Sequence, residues 1–397
     1  MEISDKQIIQ QEIDQVKEAL WELSHKIHKN PELGFQEEQA VKWQTELLKQ
    51  HGFHIQVPFA GLDTSYKATF AGKGKGPKIA FLAEYDALKG LGHACGHNLI
   101  AAMSVGAAIG LSKLIHKLDG EIIVLGCPGE EGGKGKVIML NNGGFDDIDF
   151  AMMIHPATRN LIGRGGLASS VLDVEFFGKA AHSKEPAEGI NALTAIINTF
   201  TGIDTVRQLW RDDSRINGII VSGGTAPNII PEYASARFTV RAKTSKYLLK
   251  MIEDIKKVTE AAGLITGARP NVKVGLVSTE RYSNSVMGKT IQANMKELGI
   301  AMEYPPQGLA VGSSDFGNVS MTVPAIHEYL AIAPLSVKNH TKQMAEAAIS
   351  KDADEVLIKG AKGLAMTGYD ILYNEDLRDQ IRFEFQKTIT TLSSGQD

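Results

Sequence analysis

The chain has few cysteines, almost no imbalance of charge and no long apolar run, and each shortage closes a functional class. Two cysteines, Cys95 and Cys127, cannot build a disulfide framework; a reducing cytoplasm leaves both as thiols available to a metal. Lys and Arg number 42 against 46 Asp and Glu, so no basic surplus exists for a nucleic-acid backbone or an anionic membrane. The longest nearly apolar stretch, Leu99 to Leu111, falls short of the roughly twenty residues that span a bilayer. The opening "MEISDKQIIQQEIDQVKEALWEL" is acidic and helically periodic, where a signal peptide needs a basic start and an apolar run. These absences predict a cytoplasmic protein whose partner is a small molecule or peptide.

At 397 residues the chain exceeds one ordinary hydrophobic core, which predicts two domains. Helical spacing from Asp5 to about Gln50 breaks at "KNPELG", where Pro31 and Gly34 mark a turn. "SYKATFAG" and "KIAFLAEYDAL" read as strands around "GKGKGP", which does not match a P-loop. A small-residue helix from about Asn98 to Leu118, the strand "EIIVLGCP", a helix near Lys134 and the strand "DFAMMIHP" follow, the alternation of a parallel sheet covered on both faces. After Gly163 the order becomes β-α-β-β-α-β, with helices over 188–210 and 245–262, as in an inserted α+β unit with both helices on one face. From about Arg281 helix and strand alternate again, ending in a long helix from Ala345. The expected organisation is an α/β domain of residues 1–166 and 282–397 enclosing an α+β domain of residues 167–281.

Three strand ends carry candidate ligands: "AEYDALKGLGHACGHN", "GCPGEEGG" and "IHP". Open parallel sheets form sites outside the carboxyl ends of strands, so such segments can converge. Cys95 and His97, two apart, leave an extended loop on the same side; His93 is a weaker candidate because three ligands from five residues crowd one another. Adjacent Glu130 and Glu131 repel unless one binds a cation while the other takes a proton from a metal-activated water. An exposed helix N-terminus that welcomes acidic residues accounts for the pair equally well on its own. His155 and His340 complete a Cys, His and Glu set suited to Zn2+ or Mn2+ more than to Ca2+ or Mg2+. His25 and His28 share a helix face without a strand-end partner, His51, His54 and His116 sit among polar helix-end residues and need no special role, and His327 follows a strand and rivals the others for a ligand place.

"HACGHN", "PGEEGG", "IHP", "AAHSKEPAEGINAL", "GGTAPNIIPE", "SSDFGNVS" and "NHT", in that order over about Leu23 to Ala348, resemble the aminoacylase and glutamate carboxypeptidase family of metallo-amidohydrolases. Within it the likeness is to the branch holding aminobenzoyl-glutamate hydrolase, indole-acetyl-amino-acid hydrolase and β-alanyl-lysine type dipeptidases. The resemblance implies a zinc-peptidase-like catalytic domain with a mostly parallel sheet, and an inserted ferredoxin-like lid that makes a homodimer. It implies one or two divalent ions on Cys95, His97, Glu131, His155 and His340, with Glu130 as general base. His182 would stabilise the oxyanion, Asn228 and Arg237 or Arg241 would meet the substrate carboxylate, and Ser314 would line the pocket. The implied reaction is hydrolysis of N-acyl amino acids or dipeptides with a free carboxylate. Two departures stand out: "AEYDAL" lacks the family's His-x-Asp histidine, leaving Cys95 in its place as ligand, and "CGHN" replaces "CGHD", so Asn98 supplies no negative partner. A Cys95 thiol hydrolase without metal is the enzymatic alternative. A peptide-binding or regulatory protein with a structural metal site is the other, although a closed site needs no spare carboxylate.

Overall fold

Apolar residues at helical spacing open the chain as α1 (Asp5–Gln15), α2 (Lys17–Lys29) and α3 (Glu38–Gln50). Ser4 starts α1 by accepting from the Gln7 amide while the Gln7 side chain answers the Ser4 N–H. The computed structural model describes residues 3–309 and 311–394. Strands β1 (His54–Gln56), β2 (Tyr66–Ala71) and β3 (Lys78–Ala83) follow, then α4 (His97–Ser112), β4 (Glu121–Gly126), α5 (Gly135–Asn141) and β5 (Phe150–Ala157).

There the chain leaves for a second unit. It consists of β6 (Ala168–Phe177), β7 (Ala181–His182), α6 (Ala192–Val206), β8 (Arg215–Ser222), β9 (Ile229–Ile230), β10 (Tyr233–Ala242), α7 (Ser245–Thr266) and β11 (Arg269–Val274). On its return it adds α8 (Ser285–Glu297), α9 (Phe316–Ser320), β12 (Ala325–Ala331), α10 (Lys342–Ala347), α11 (Lys351–Tyr373) and α12 (Glu375–Ser394). The two units are Met1–Gly165 with Arg281–Asp397, and Gly166–Glu280.

The first unit is built on a six-stranded sheet of order β1-β2-β4-β3-β5-β12, antiparallel at β1, β2 and β4 and parallel from β4 to β12. Alternation along the strands divides the core. Ile79, Phe81, Ile122, Val124, Phe150 and Met152 face α1, α2, α4, α8 and α11, while Ala80, Leu82, Ile123, Leu125 and Met153 face α5 and α9. Every residue of α4 is buried, as its run of Ala, Gly and apolar side chains requires. Among the described residues, no helix is long and apolar enough to cross a membrane.

The second unit is an antiparallel sheet of order β11-β6-β10-β8, with the alternate residues Leu172, Val174, Phe176, Phe238 and Val240 buried under α6 and α7. The chain enters and leaves each unit at neighbouring points. Arg281 donates from Nη2 to the Gly165 carbonyl over 2.9 Å, and Ser169 and Ser278 exchange backbone hydrogen bonds of 2.9 Å.

The expected long helix from Ala345 is divided in three, over α10, α11 and α12, and Ser350 caps α11 by accepting from the Ala353 amide over 3.2 Å. Asn374 leaves helical geometry and its side chain accepts from the Leu377 amide over 3.1 Å, so an N-cap interrupts what periodicity alone reads as continuous.

Candidate metal centre

The loops after β3 and β4 and the carboxyl end of β5 itself, which carries His155, supply the site, joined by the turn before α10. Gly96, with φ of +77°, turns the loop after β3 into α4, leaving Cys95 and His97 on either side of the turn. Three overlapping sets of donor atoms result: Cys95, His97 and His155; Cys95, Glu131 and His340; and His97, Glu130 and Glu131. Within each set the atoms lie within 4.8 Å of one another.

The imidazoles are oriented by groups behind them. His97 Nδ1 donates to Asp86 Oδ1 over 2.8 Å, and Asp86 Oδ2 accepts the Glu131 amide over 2.8 Å. His155 Nδ1 lies 2.6 Å from the Pro156 carbonyl, which can only accept, so Nε2 is the nitrogen turned to Cys95 Sγ, 3.5 Å away. Asp86 thus supplies the negative partner that "CGHN" lacks. Asn98 faces elsewhere, donating to Ser24 Oγ and the Ala348 carbonyl.

Charges in the cluster are mutually set. Burial would raise the Cys95 thiol, but the imidazoles of His155, His340 and His97 bring it down to about 6. His340, 3.3 Å from Glu131, is raised to about 10 by Cys95 and Glu131. Burial raises Glu130 well above the usual carboxylate range, reinforced by Glu84 and Asp315. Glu131 is held below that range against burial by His340 and His97.

Behind the loops lies a second buried charge cluster. Lys136 Nζ sits 2.6 Å from both Glu84 Oε1 and Asp315 Oδ1, and all three side chains are buried. Glu84 occupies the histidine place of the His-x-Asp pattern, with Oε2 3.5 Å from His97 Nε2. His327 is stacked on His155 at 5.4 Å between ring centroids and packs against Phe316 and Tyr329. The donor set suits a borderline divalent cation: a low thiol, two imidazoles fixed through Nδ1, and the buried atoms His97 Nε2 and Glu131 Oε1, which have only the looser approaches of Glu84 at 3.5 Å and His340 at 3.3 Å.

Thus Cys95, His97, Glu130, Glu131, His155 and His340 come together. Ser314 belongs to the same unit, where its Oγ accepts from the Phe316 amide at the start of α9. His182, Asn228, Arg237 and Arg241 belong to the second unit. There the Ser183 amide donates to the Asn228 carbonyl over 3.0 Å, and β7 pairs with β9, which brings the His182 and Asn228 segments together. Arg237 is exposed and doubly bonded to Asp173, at 2.6 and 3.1 Å; Arg241 is half-buried on β10. A cavity of about 540 Å³ in this unit is lined by Ser183, Asn191, Thr225, Pro227 and Ile229. Sequence reasoning passed over Asp86, Glu84, Lys136 and Asp315 as site residues; Glu84 and Asp86, just beyond an apolar strand, and Asp315, in "SSDFGNVS", stood in motif segments, whereas Lys136 did not.

Comparison with known proteins gives a consistent outcome. The peptidase dimerisation domain of the M20 family matches residues 162–265. Xaa-Arg dipeptidase of Mus musculus is 36% identical over 94% of this chain and 90% of its own length. A p-aminobenzoyl-glutamate hydrolase chain from Escherichia coli K12 is 26% identical over 96% of this chain and 94% of its own. The fold matches a Bacillus subtilis structure described as a dinuclear metal-binding peptidase of the M20 family. The TM-score is 0.63 at 19% identity, covering 88% of this chain and 98% of that one.

Proposed function

Since the chain belongs to the M20 family of metallo-amidohydrolases and is therefore a hydrolase of amide bonds, we propose that it cleaves N-acyl amino acids or dipeptides with a free carboxylate. The convergence of Cys95, His97, Glu131, His155 and His340 around a spare carboxylate, Glu130, carries this reading. These five residues would hold one or two divalent ions, Zn2+ or Mn2+ by donor type, which supply Lewis acidity to the attacking water and the scissile carbonyl.

In this reading Glu130 accepts the proton of the water as its oxygen bonds to the carbonyl carbon. The C–N bond then breaks, and Glu130 returns the proton to the leaving nitrogen. Burial, Glu84 and Asp315 raise this carboxyl, while Lys136 and His97 act the other way and favour the ionised form that a base requires. His182 serves as donor to the developing oxyanion. Its Nδ1 accepts from the Lys184 amide over 3.1 Å, so the proton resides on Nε2, at the outer tip of an exposed ring. Asn228 and Arg241 are assigned to the substrate carboxylate with Ser314 in the pocket; Arg237 must first release Asp173.

The second unit is the proposed homodimer interface, as befits a peptidase dimerisation domain. Two free thiols fit a reducing, cytoplasmic setting. Treatment with a chelator, re-addition of Zn2+, Mn2+ or Co2+, and assay on a panel of N-acyl amino acids and dipeptides, Xaa-Arg included, tests the reading. Metal-restored cleavage is expected. Activity that survives chelation and falls to thiol alkylation alone would instead favour Cys95 as nucleophile, a role its 3.5 Å approach to His155 permits.

A further inference from the structure

The segment "NPELGFQEE" between α2 and α3 reads as a turn, yet it makes closer contact with the site loops than a turn requires. Leu33 bridges to Ala87, next to Asp86, and the Ala87 amide donates to the Glu32 carbonyl over 2.8 Å. Glu37 is completely buried. Its Oε1 accepts from the Gly129 amide over 2.8 Å and its Oε2 from Thr64 Oγ1 over 2.9 Å. Thr64 is held in turn by Tyr85, whose hydroxyl donates to the Thr64 carbonyl over 2.6 Å.

Phe35 adopts a left-handed backbone, φ +67°, that a bulky side chain seldom takes. The ring lies where only glycine leaves room: a Cβ on Gly129 or Gly133 would come within 2.8 or 2.5 Å of it. Gly129 immediately precedes Glu130, and Gly129 and Gly133 bracket both glutamates. A buried carboxyl is costly to keep, and burial together with nearby Asp86 pushes Glu37 up to about 7. A strained aromatic and a buried acid therefore meet on one short backbone stretch, the one that carries the paired carboxylates.

We propose that Glu37 is a positioning residue for amide hydrolysis: its carboxylate ties Gly129 to Thr64 and, with the Phe35 ring, fixes the backbone from which Glu130 and Glu131 project. The hydrogen bonds of the Glu37 carboxylate go to Gly129 and Thr64 and to none of the five metal-ligand candidates. It acts through the Gly129 amide, and so on where Glu130 points. The inference rests on the hydrolytic reading above, but its physical core, the anchoring of residues 129–135, can be measured without turnover.

The test uses full-length Glu37→Leu, Phe35→Ala, Thr64→Val and Thr64→Ser proteins. Hydrogen exchange of residues 129–135 is followed in chelator-treated protein, and kcat, KM and metal content after reloading. Glu37→Leu, which removes both hydrogen bonds, and Phe35→Ala should exchange at least about tenfold faster there, with α4 protection retained. Their kcat should fall about ten- to hundredfold, the scale of a displacement near 1 Å, with KM within about twofold and metal content unchanged. Thr64→Val should be intermediate, and Thr64→Ser should restore wild-type behaviour. Unchanged exchange in both Glu37→Leu and Phe35→Ala overturns the proposal, as does a rise in KM at constant kcat or activity lost in proportion to metal. Should Glu37→Leu not fold, Phe35→Ala and Thr64→Val decide. If the unaltered protein cleaves nothing in the panel, the hydrolytic reading fails while the exchange data still judge the anchoring.

Discussion

Glu130 and Glu131 are identical side chains placed in opposite electrostatic surroundings by what faces them. His340 and His97 hold Glu131 below the usual carboxylate range against burial, whereas burial with Glu84 and Asp315 raises Glu130 well above it. Replacing Glu130 by Gln should leave metal content intact and lower kcat at least about a hundredfold; near-normal turnover at full metal loading would remove Glu130 from the reaction. Cys95→Ser should load less metal by elemental analysis, because a thiolate is lost. A pH effect belongs to Glu328, buried between the Ser283 hydroxyl and the Gly163 amide and raised to about 7 by burial. The folded state keeps its proton where the unfolded chain has lost it, so stability falls as pH climbs from about 4.5 to about 7 and stays lower above. Thermal unfolding of Glu328→Gln should therefore compare more favourably with the unaltered protein at pH 8 than at pH 5. At this scale the clustering of Cys, His and paired Glu was legible, because those residue types at strand ends are unusual. Lys136 was not: it is an ordinary lysine in a helix-forming stretch, and its partner Asp315 lies 179 positions away.

Among elements, α4 shows how little freedom the core leaves. A Cβ on Gly106 would come within 2.6 Å of Leu20 and 3.1 Å of Ala361. In an exposed helix Gly→Ala gains about 1 kcal/mol. Overpacking costs about 1 to 3 kcal/mol, so Gly106→Ala should lower the unfolding midpoint despite its better propensity; a higher midpoint would mean that α2 and α11 yield. The burial of α4 and the strand and helix alternation were readable, since composition and period both depend on what an element packs against. Cap geometry was not. Asn374 splits the terminal helix through one side-chain hydrogen bond, which leaves no mark on hydrophobic spacing. The anchoring by Glu37 was hidden likewise, because a Glu before a helix is commonplace and only the 92-residue return of the chain gives it Gly129.

For the whole molecule, the sheet of the second unit ends at β8, whose Ile219 and Val221 are 64% and 60% exposed. An apolar edge strand invites pairing with another chain. If this edge carries the proposed homodimer, Ile219→Lys with Val221→Lys should lower the mass in sedimentation equilibrium to that of a monomer, and an unchanged dimer mass would move the interface elsewhere. The doubled exit points have a consequence of another kind. Gly165 and Arg281 lie side by side in the first unit, as Ser169 and Ser278 do in the second, so each unit begins and ends at nearly one point. Such a layout makes the insert a cassette: a few glycines could seal the host where it was cut. The excised piece would carry its own stub of paired backbone and could be transplanted between hosts without re-threading either chain.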